Sequence, residues 1–254
     1  MKIKTYYLGG LLLALTASSC ASRYVLTSVS RQRILIDSRY DAQPDAEATA
    51  FMAPYKQKVD SVMGPMVGQA AHYMEGHRPE SDLSNLLADI LVWAGKAYGE
   101  TPDFGVYNMG GIRAALPKGP VTYGDVLEVA PFENKISFLS LTGEQVMQLF
   151  SEMAAVGGEG VSHGVQLVIT KDGKLVSAKL HGKEIDAKAI YRIATIDYLA
   201  HGNDKLEAFK LKTDFVSPQD ASNNARYIIA AYFKEQAAEG KAVDARIEGR
   251  IVER

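Results

Sequence analysis

Phe104-Gly-Val-Tyr-Asn-Met-Gly-Gly-Ile-Arg113 is the stretch from which the rest of the chain can be ordered. Its first four residues are an apolar run, read as a short buried strand. The strand opens into Gly110-Gly111, a turn whose backbone N–H groups can point at a ligand. Arg113 adds a planar, fixed positive charge two residues on. The combination suits an anion with a flat group beside it. A plain β-turn with a solvated arginine is the alternative for the same residues, because Gly-Gly turns are common.

Upstream of this stretch, residues 81–98 carry Leu83, Leu86, Leu87, Ile90, Leu91 and Ala94 at helical spacing. That pattern predicts an amphipathic helix, ended by Gly99 and Pro102. Residues 66–73 suit a strand, and 45–63 suit a helix through Phe51, Tyr55, Val59 and Val62. Downstream, Thr122-Tyr-Gly-Asp125 and Thr142-Gly-Glu-Gln145 have capping-box spacing, the second opening a helix through Val146, Leu149, Phe150 and Met153. Residues 135–141 and 191–196 read as strands. Residues 165–170 and 175–180 flank Lys171-Asp-Gly-Lys174, a hairpin signal. Residues 221–238 read as a helix closed by Gly240, and 245–252 as a last strand. Helices and strands mix without strict β-α-β alternation, so the fold class is α+β, a mixed β-sheet packed with helices.

The N-terminus has a different character. Lys2 and Lys4 precede an apolar run over residues 6–17, too short to span a bilayer as a permanent helix. Ser18-Ser19-Cys20 follows, so residues 1–19 are read as a lipoprotein-type signal peptide with Cys20 as the lipidation site. Ala17 stands where a leucine is usual. Cys20 is the only cysteine, which leaves no internal disulfide. Acylated there, the chain is anchored to the membrane in the bacterial cell envelope. Ala21-Ser-Arg-Tyr24 carries no acidic run, which favours the periplasmic face. Residues 20–44 are read as N-terminal strands (23–30 and 33–36) and linker, and 45–254 as the main domain. Losing the signal moves the formal charge from −2 to −4, which argues against a nucleic-acid partner.

Three loops stand behind apolar strands: 108–113, 131–134 and 198–204. Phe132 and Tyr198 lie on different loops and are candidates to sandwich a flat ring, although buried aromatics of ordinary packing have the same composition. Asp204 is a candidate acceptor for vicinal ribose hydroxyls, or a turn-forming aspartate. Arg113, and with it Arg78, suits a phosphate, with a solvated surface charge as the other reading of Arg78. His201 reads as a loop tip and Trp93 as helix packing. Asn85 and Asp89 read as caps or braces for the arginine loop.

These residues come in an order that closely resembles the C-terminal domain of the 5′-nucleotidase family. The markers are Glu80-Ser-Asp-Leu-Ser-Asn-Leu-Leu-Ala-Asp89, Asn108-Met-Gly-Gly-Ile-Arg113, Val121-Thr-Tyr-Gly-Asp-Val126, Pro131-Phe-Glu-Asn134, Leu141-Thr-Gly143 and the 198–204 loop. The resemblance implies a domain that binds the nucleoside part of a nucleotide. It implies Phe132 and Tyr198 stacked on the base and Asp204 on the ribose hydroxyls. It further implies Asn108 and Asn134 on base or sugar, Arg113 and Arg78 on phosphate, and Gly158 close to the base. Gly110 and Gly111 complete the substrate-binding set.

The sequence departs from the family pattern in several places. Tyr198 replaces a phenylalanine, Glu133 a glycine, and Ser84 a glycine. Gly202-Asn-Asp-Lys-Leu206 stands for Gly-Gly-Asp-Gly-aromatic; Asn203 is expected to keep the turn by tolerating positive φ, and Lys205 puts a charge beside the ribose site.

Family members do their chemistry on a metallophosphatase domain whose paired metals need clustered His, Asp and Asn ligands. Its short motifs (Asp-x-His, Gly-Asn-His-Asp or -Glu, Gly-His-x-His) do not occur here. His72, His77, His163, His181 and His201 are scattered. The expectation is therefore no catalytic residue, no metal site and no cofactor in this chain, with a divalent metal pair on a separate metallophosphatase subunit. The two would form a split 5′-nucleotidase acting in nucleotide catabolism. The alternatives are a non-catalytic envelope lipoprotein that binds nucleotide or nucleoside, and a relic that keeps the fold without the ligand.

Overall fold

The computed structural model describes residues 24–42 and 44–254. The signal segment and Cys20 lie outside the described residues. The chain divides into two units between Phe51 and Met52. In the first, residues 24–36 have no regular structure and are exposed. The strands expected over 23–30 and 33–36 are thus not formed in the described part. Alternating apolar residues make a strand only when a neighbouring edge takes up their N–H and C=O groups. Ser38–Tyr40 form one 3-10 turn capped by Asp37, whose carboxylate accepts from the Arg39 amide at 3.1 Å.

Helix α1 (Ala46–Met63) crosses the division. The Asp45 carboxylate accepts from the Ala48 amide at 2.8 Å, which starts the helix. The helix is where its periodicity put it, but Phe51, Tyr55, Val59 and Val62 are exposed rather than buried.

In chain order the second unit continues with β1 (Met66–Ala70), α2 (Asp82–Ala94), β2 (Phe104–Tyr107), β3 (Gly119–Thr122) and α3 (Tyr123–Val129). Then come β4 (Ile136–Thr142), α4 (Gly143–Ala155), β5 (Gly160–Val161), β6 (Val165–Ile169), β7 (Leu175–Leu180) and β8 (Lys183–Glu184). The chain ends with β9 (Ile190–Ile196), α5 (Asp197–Ala200), β10 (Thr213–Val216), α6 (Ala225–Ala238) and β11 (Ile251–Glu253). The strands form three sheets: an antiparallel β1–β3 ribbon, a five-stranded sheet ordered β10-β4-β9-β2-β5, and a four-stranded sheet ordered β11-β6-β7-β8. Both larger sheets are mixed, since β2 runs parallel to β9 and β11 parallel to β6. The fold is α+β as expected, with the strands shared among sheets rather than gathered in one.

Local sequence explains the main elements. The Thr122 hydroxyl accepts from the Asp125 amide at 3.2 Å while the Asp125 carboxylate accepts from the Thr122 amide at 2.7 Å. Thr142 and Gln145 repeat the exchange at the start of α4. Ser81 and Ser84 do the same for α2, whose buried stripe includes Leu83, Leu87, Ile90 and Leu91. Gly105 in β2 lets that helix approach: a Cβ there would sit 2.6 Å from the Ala88 carbonyl oxygen. The core of β4 and β9 is buried on both faces at Phe138, Leu139, Ile193 and Ala194, which makes them the rigid centre of the five-stranded sheet.

Two boundaries move for identifiable reasons. The last helix begins at Ala225, not near 221. Asn223 is buried and its side chain donates to the Ile136 carbonyl at 3.0 Å and accepts from the Ile136 amide at 2.9 Å, standing in for a strand partner. The C-terminal strand is only three residues long, because residues 245–250 are held by side chains instead. Arg250 reaches both carboxylate oxygens of Asp89, at 2.8 and 2.9 Å, and the Val161 carbonyl at 2.8 Å. Asn85 donates to Glu80 at 2.7 Å and to the Arg246 carbonyl at 2.9 Å. Asn85 and Asp89 therefore brace the C-terminal segment and not the arginine loop.

Candidate functional site

β2 delivers its chain to the site at Asn108, where the backbone folds into a 3-10 turn over Met109–Gly111. The turn and the residues flanking it engage three amides, two within the turn and one with a buried carboxylate. Those of Gly111 and Ile112 donate to the carbonyls of Asn108 and Met109, each at 3.1 Å, and that of Met109 donates to the Glu159 carboxylate. Three of the donors expected to point at a ligand are thus engaged, and the Gly110 amide, on the cavity lining, is not among them. Gly111 serves another purpose: a Cβ there would lie 2.5 Å from the Asn108 side-chain oxygen. It allows the turn to close over Asn108.

Asn108, Gly110, Arg113, Phe132, Asn134, Tyr198 and Asp204 line one cavity of about 320 Å³, within the size range of small-ligand sites. Phe132 and Tyr198 remain 47% and 40% exposed, on loops that belong to different elements. The 131–134 loop is pinned by the start of α6, where the Ala225 amide donates to the Asn134 carbonyl at 2.9 Å and Arg226 to the Pro131 carbonyl at 2.8 Å. Arg113 lies over the Phe132 ring, 5.9 Å from its centre. Tyr198 opens from the one-turn helix α5.

Asp204 lines the cavity and is held from two sides. The Tyr198 hydroxyl donates to one carboxylate oxygen at 2.8 Å and the Asn108 amide group to the other at 2.9 Å. The carboxylate in turn raises the Tyr198 phenol pKa by accepting its hydrogen bond. Positive φ falls on Gly202, Asp204 and Lys205, not on Asn203. Asn203 keeps the turn in another way, donating from its side chain to the Tyr198 carbonyl at 2.7 Å. The Glu133 and Lys205 side chains are exposed and outside the cavity lining.

Three of the residues singled out from sequence stand behind this wall. Arg78 is paired with Glu159. Gly158, at φ +104°, packs against the Arg78–Pro79 segment, where a Cβ would sit 2.5 Å from the Pro79 carbonyl oxygen. Gly111 underlies the turn as described.

Glu159 was not singled out from sequence. Its side chain is 1% exposed, and burial pushes its carboxyl up to about 7, against the opposing pull of the Met109 amide and Arg78; Asp204 adds to the rise. A carboxylate between glycines, one residue before a buried strand pair, was the available signal. Because the folded state holds this proton above the ordinary 4.5, the associated stability is complete below that pH and lost as pH rises through about 7. The expected loss is on the order of 3 kcal/mol. Urea midpoints at pH 5 and pH 8 check it: the wild type falls across this window and Glu159→Gln falls less. Equal slopes would contradict it.

Among the described residues, no group of three or more His, Cys, Asp or Glu side chains is placed to hold a metal ion. The polar side chains of the cavity, one carboxylate and one phenol with two amides and an arginine, do not fit a metal pair.

The comparisons with known proteins bear on this geometry. A family model described as "5'-nucleotidase, C-terminal domain" matches residues 63–211. The chain is 31% identical over 208 residues to the endonuclease YhcR of Bacillus subtilis, covering 76% of this chain and 17% of that protein. It is 28% identical over 182 residues to a 5′-nucleotidase of Vibrio vulnificus, covering 68% of this chain and 32% of the relative. The crystal structure of a 5′-nucleotidase precursor from Thermus thermophilus superposes with a TM-score of 0.70 at 27% identity, covering 82% of this chain and 43% of that one. The chain thus spans less than half the length of each of these relatives. By the family model and by the fold alike, it belongs to the 5′-nucleotidase C-terminal domain family.

Proposed function

We propose that this chain is the nucleotide- or nucleoside-recognition half of a 5′-nucleotidase-type phosphohydrolase, working with a separate metallophosphatase chain at the bacterial cell envelope. The observation that carries this reading is the cavity lined by Phe132 and Tyr198 with the Asp204 carboxylate held in its wall by two hydrogen bonds. Two rings on separate loops suit the faces of a base. A carboxylate fixed by Asn108 and Tyr198 suits two neighbouring hydroxyls of a ribose. Arg113 at the rim suits the 5′-phosphate. Phosphate-ester cleavage then belongs to the metal pair of the partner, and what this chain does is bind, orient and present the ester. Acylation at Cys20 would hold the assembly to the membrane, on the periplasmic face.

The test separates binding from hydrolysis. The purified chain, an envelope fraction depleted of it, and the two recombined are assayed for phosphate release from AMP. Release that rises on recombination supports the split enzyme. No gain, with AMP still bound by the chain, removes the split enzyme and leaves a binding lipoprotein. Within the site, Arg113→Ala is expected to weaken AMP more than adenosine, by about 1.5–3 kcal/mol, because a charged hydrogen bond is lost only for the phosphorylated ligand. Titration of both ligands reads this out, and equal weakening would make Arg113 a structural support for Phe132.

A further inference from the structure

Glu159 joins three parts of the site through one buried carboxylate. One oxygen takes the Arg78 guanidinium and the other takes the Met109 amide of the turn. Asp204, on the cavity wall, contributes like charge from the loop after α5. Arg78 and Asp204 are the charged groups that face it. Arg78 is 39% exposed, yet it is not on the cavity wall. Its partner holds it back, and Gly157 packs close to its Cδ, where a Cβ would lie 3.4 Å away.

Both neighbours that bond to Glu159 are donors. An ionised carboxylate satisfies them together, since it is acceptor-only with two oxygens. A protonated carboxyl must itself donate, and neither an arginine nor a backbone N–H can accept. Protonation removes the charge and turns one oxygen into a donor, which weakens the hold on the partner at that oxygen, and the more exposed partner, Arg78, is the one free to swing away. The same event removes a negative charge from beside the cavity.

We propose that Glu159 is a proton-linked positioning residue: ionised, it retains Arg78, and protonated, it releases Arg78 to a phosphorylated ligand. The proposal rests on the nucleoside reading of the cavity and adds a control on its phosphate end. A phosphate monoester that engages Arg78 takes up a proton from solvent onto Glu159, whereas an uncharged nucleoside does not. Burial that brings this carboxyl's titration near neutrality makes the exchange accessible at ordinary pH.

The experiment titrates the wild type, Glu159→Gln and Arg78→Met with AMP and with adenosine at pH 6, 7 and 8. The second ionisation of the phosphate itself, near about pH 6, is common to all three proteins and cancels in the comparison. Between pH 8 and 6 the preference for AMP over adenosine is expected to rise about fivefold more in the wild type than in Glu159→Gln. Arg78→Met keeps Glu159 and is expected to show no such excess, so the comparison does not depend on one variant folding. Identical pH slopes in the wild type and both variants, with adenosine still bound, would overturn this proposal alone. Binding of neither ligand by the wild type at any pH would overturn the nucleoside reading and this proposal with it.

Discussion

Adenosine binding is expected to weaken about 5- to 150-fold in Phe132→Ala, and by a similar factor in Tyr198→Ala, the equivalent of roughly 1–3 kcal/mol for each base–aromatic stack. Both rings are about half exposed in the free protein, so a ligand between them removes apolar surface that folding left in water. Their positions are fixed by different parts of the fold. Phe132 sits on a loop tied to α6 through Asn134 and Pro131, and Tyr198 on the helical turn that follows β9. Neither truncation removes core packing, and thermal stability is expected to change little. Tyr198→Phe separates the ring from its hydroxyl. It keeps the stacking surface and releases one oxygen of Asp204, so it is expected to retain most of the affinity. Isothermal titration checks the series. Wild-type affinity in both alanine variants would reduce the two rings to ordinary surface residues.

The second large effect concerns stability. Arg250→Ala is expected to cost about 3 kcal/mol and lower the melting temperature by roughly 10 °C. Arg250 is 4% exposed and makes a bidentate pair with Asp89, while also donating to the Val161 carbonyl and to Glu248. Its removal strands the Val161 carbonyl and leaves Asp89 without a counter-charge on the flank of α2. Asp89 keeps a third of its side-chain surface in water, which holds the cost to the lower end for a broken buried pair. Loss of this clasp removes the side-chain tie between the C-terminal segment and α2 and leaves the β11–β6 ladder to its backbone hydrogen bonds. A calorimetric melt reads the shift directly, and a change below about 2 °C would show that the clasp contributes little.

The capping boxes at Thr122 and Thr142, the leucine stripe of α2 and the Lys171-Asp-Gly-Lys174 hairpin were legible in the sequence because each is a local rule, settled within four residues or one helical face. What depended on distant partners was not. The alternation in residues 24–36 looks like strand and has no ladder to join. β10 is exposed along its whole length, so no alternation marks it. The start of α6 is set by Asn223 reaching across to Ile136, a contact between residues far apart in the chain. The site follows the same division. Seven residues chosen from loop motifs meet at one cavity, since two of the motifs follow β2 and β9 and the third leads into β4, which is antiparallel to β9 with Ile136 opposite Ile196. Arg78, Gly111 and Gly158 belong to the layer behind, and the group that organises that layer, Glu159, is conspicuous only once its burial is known.

The most direct measurement is a crystal structure of the purified chain soaked with adenosine. The purine is expected between Phe132 and Tyr198, with both ribose hydroxyls on the Asp204 carboxylate. A purine bound elsewhere, or an empty cavity at saturating adenosine, would contradict it.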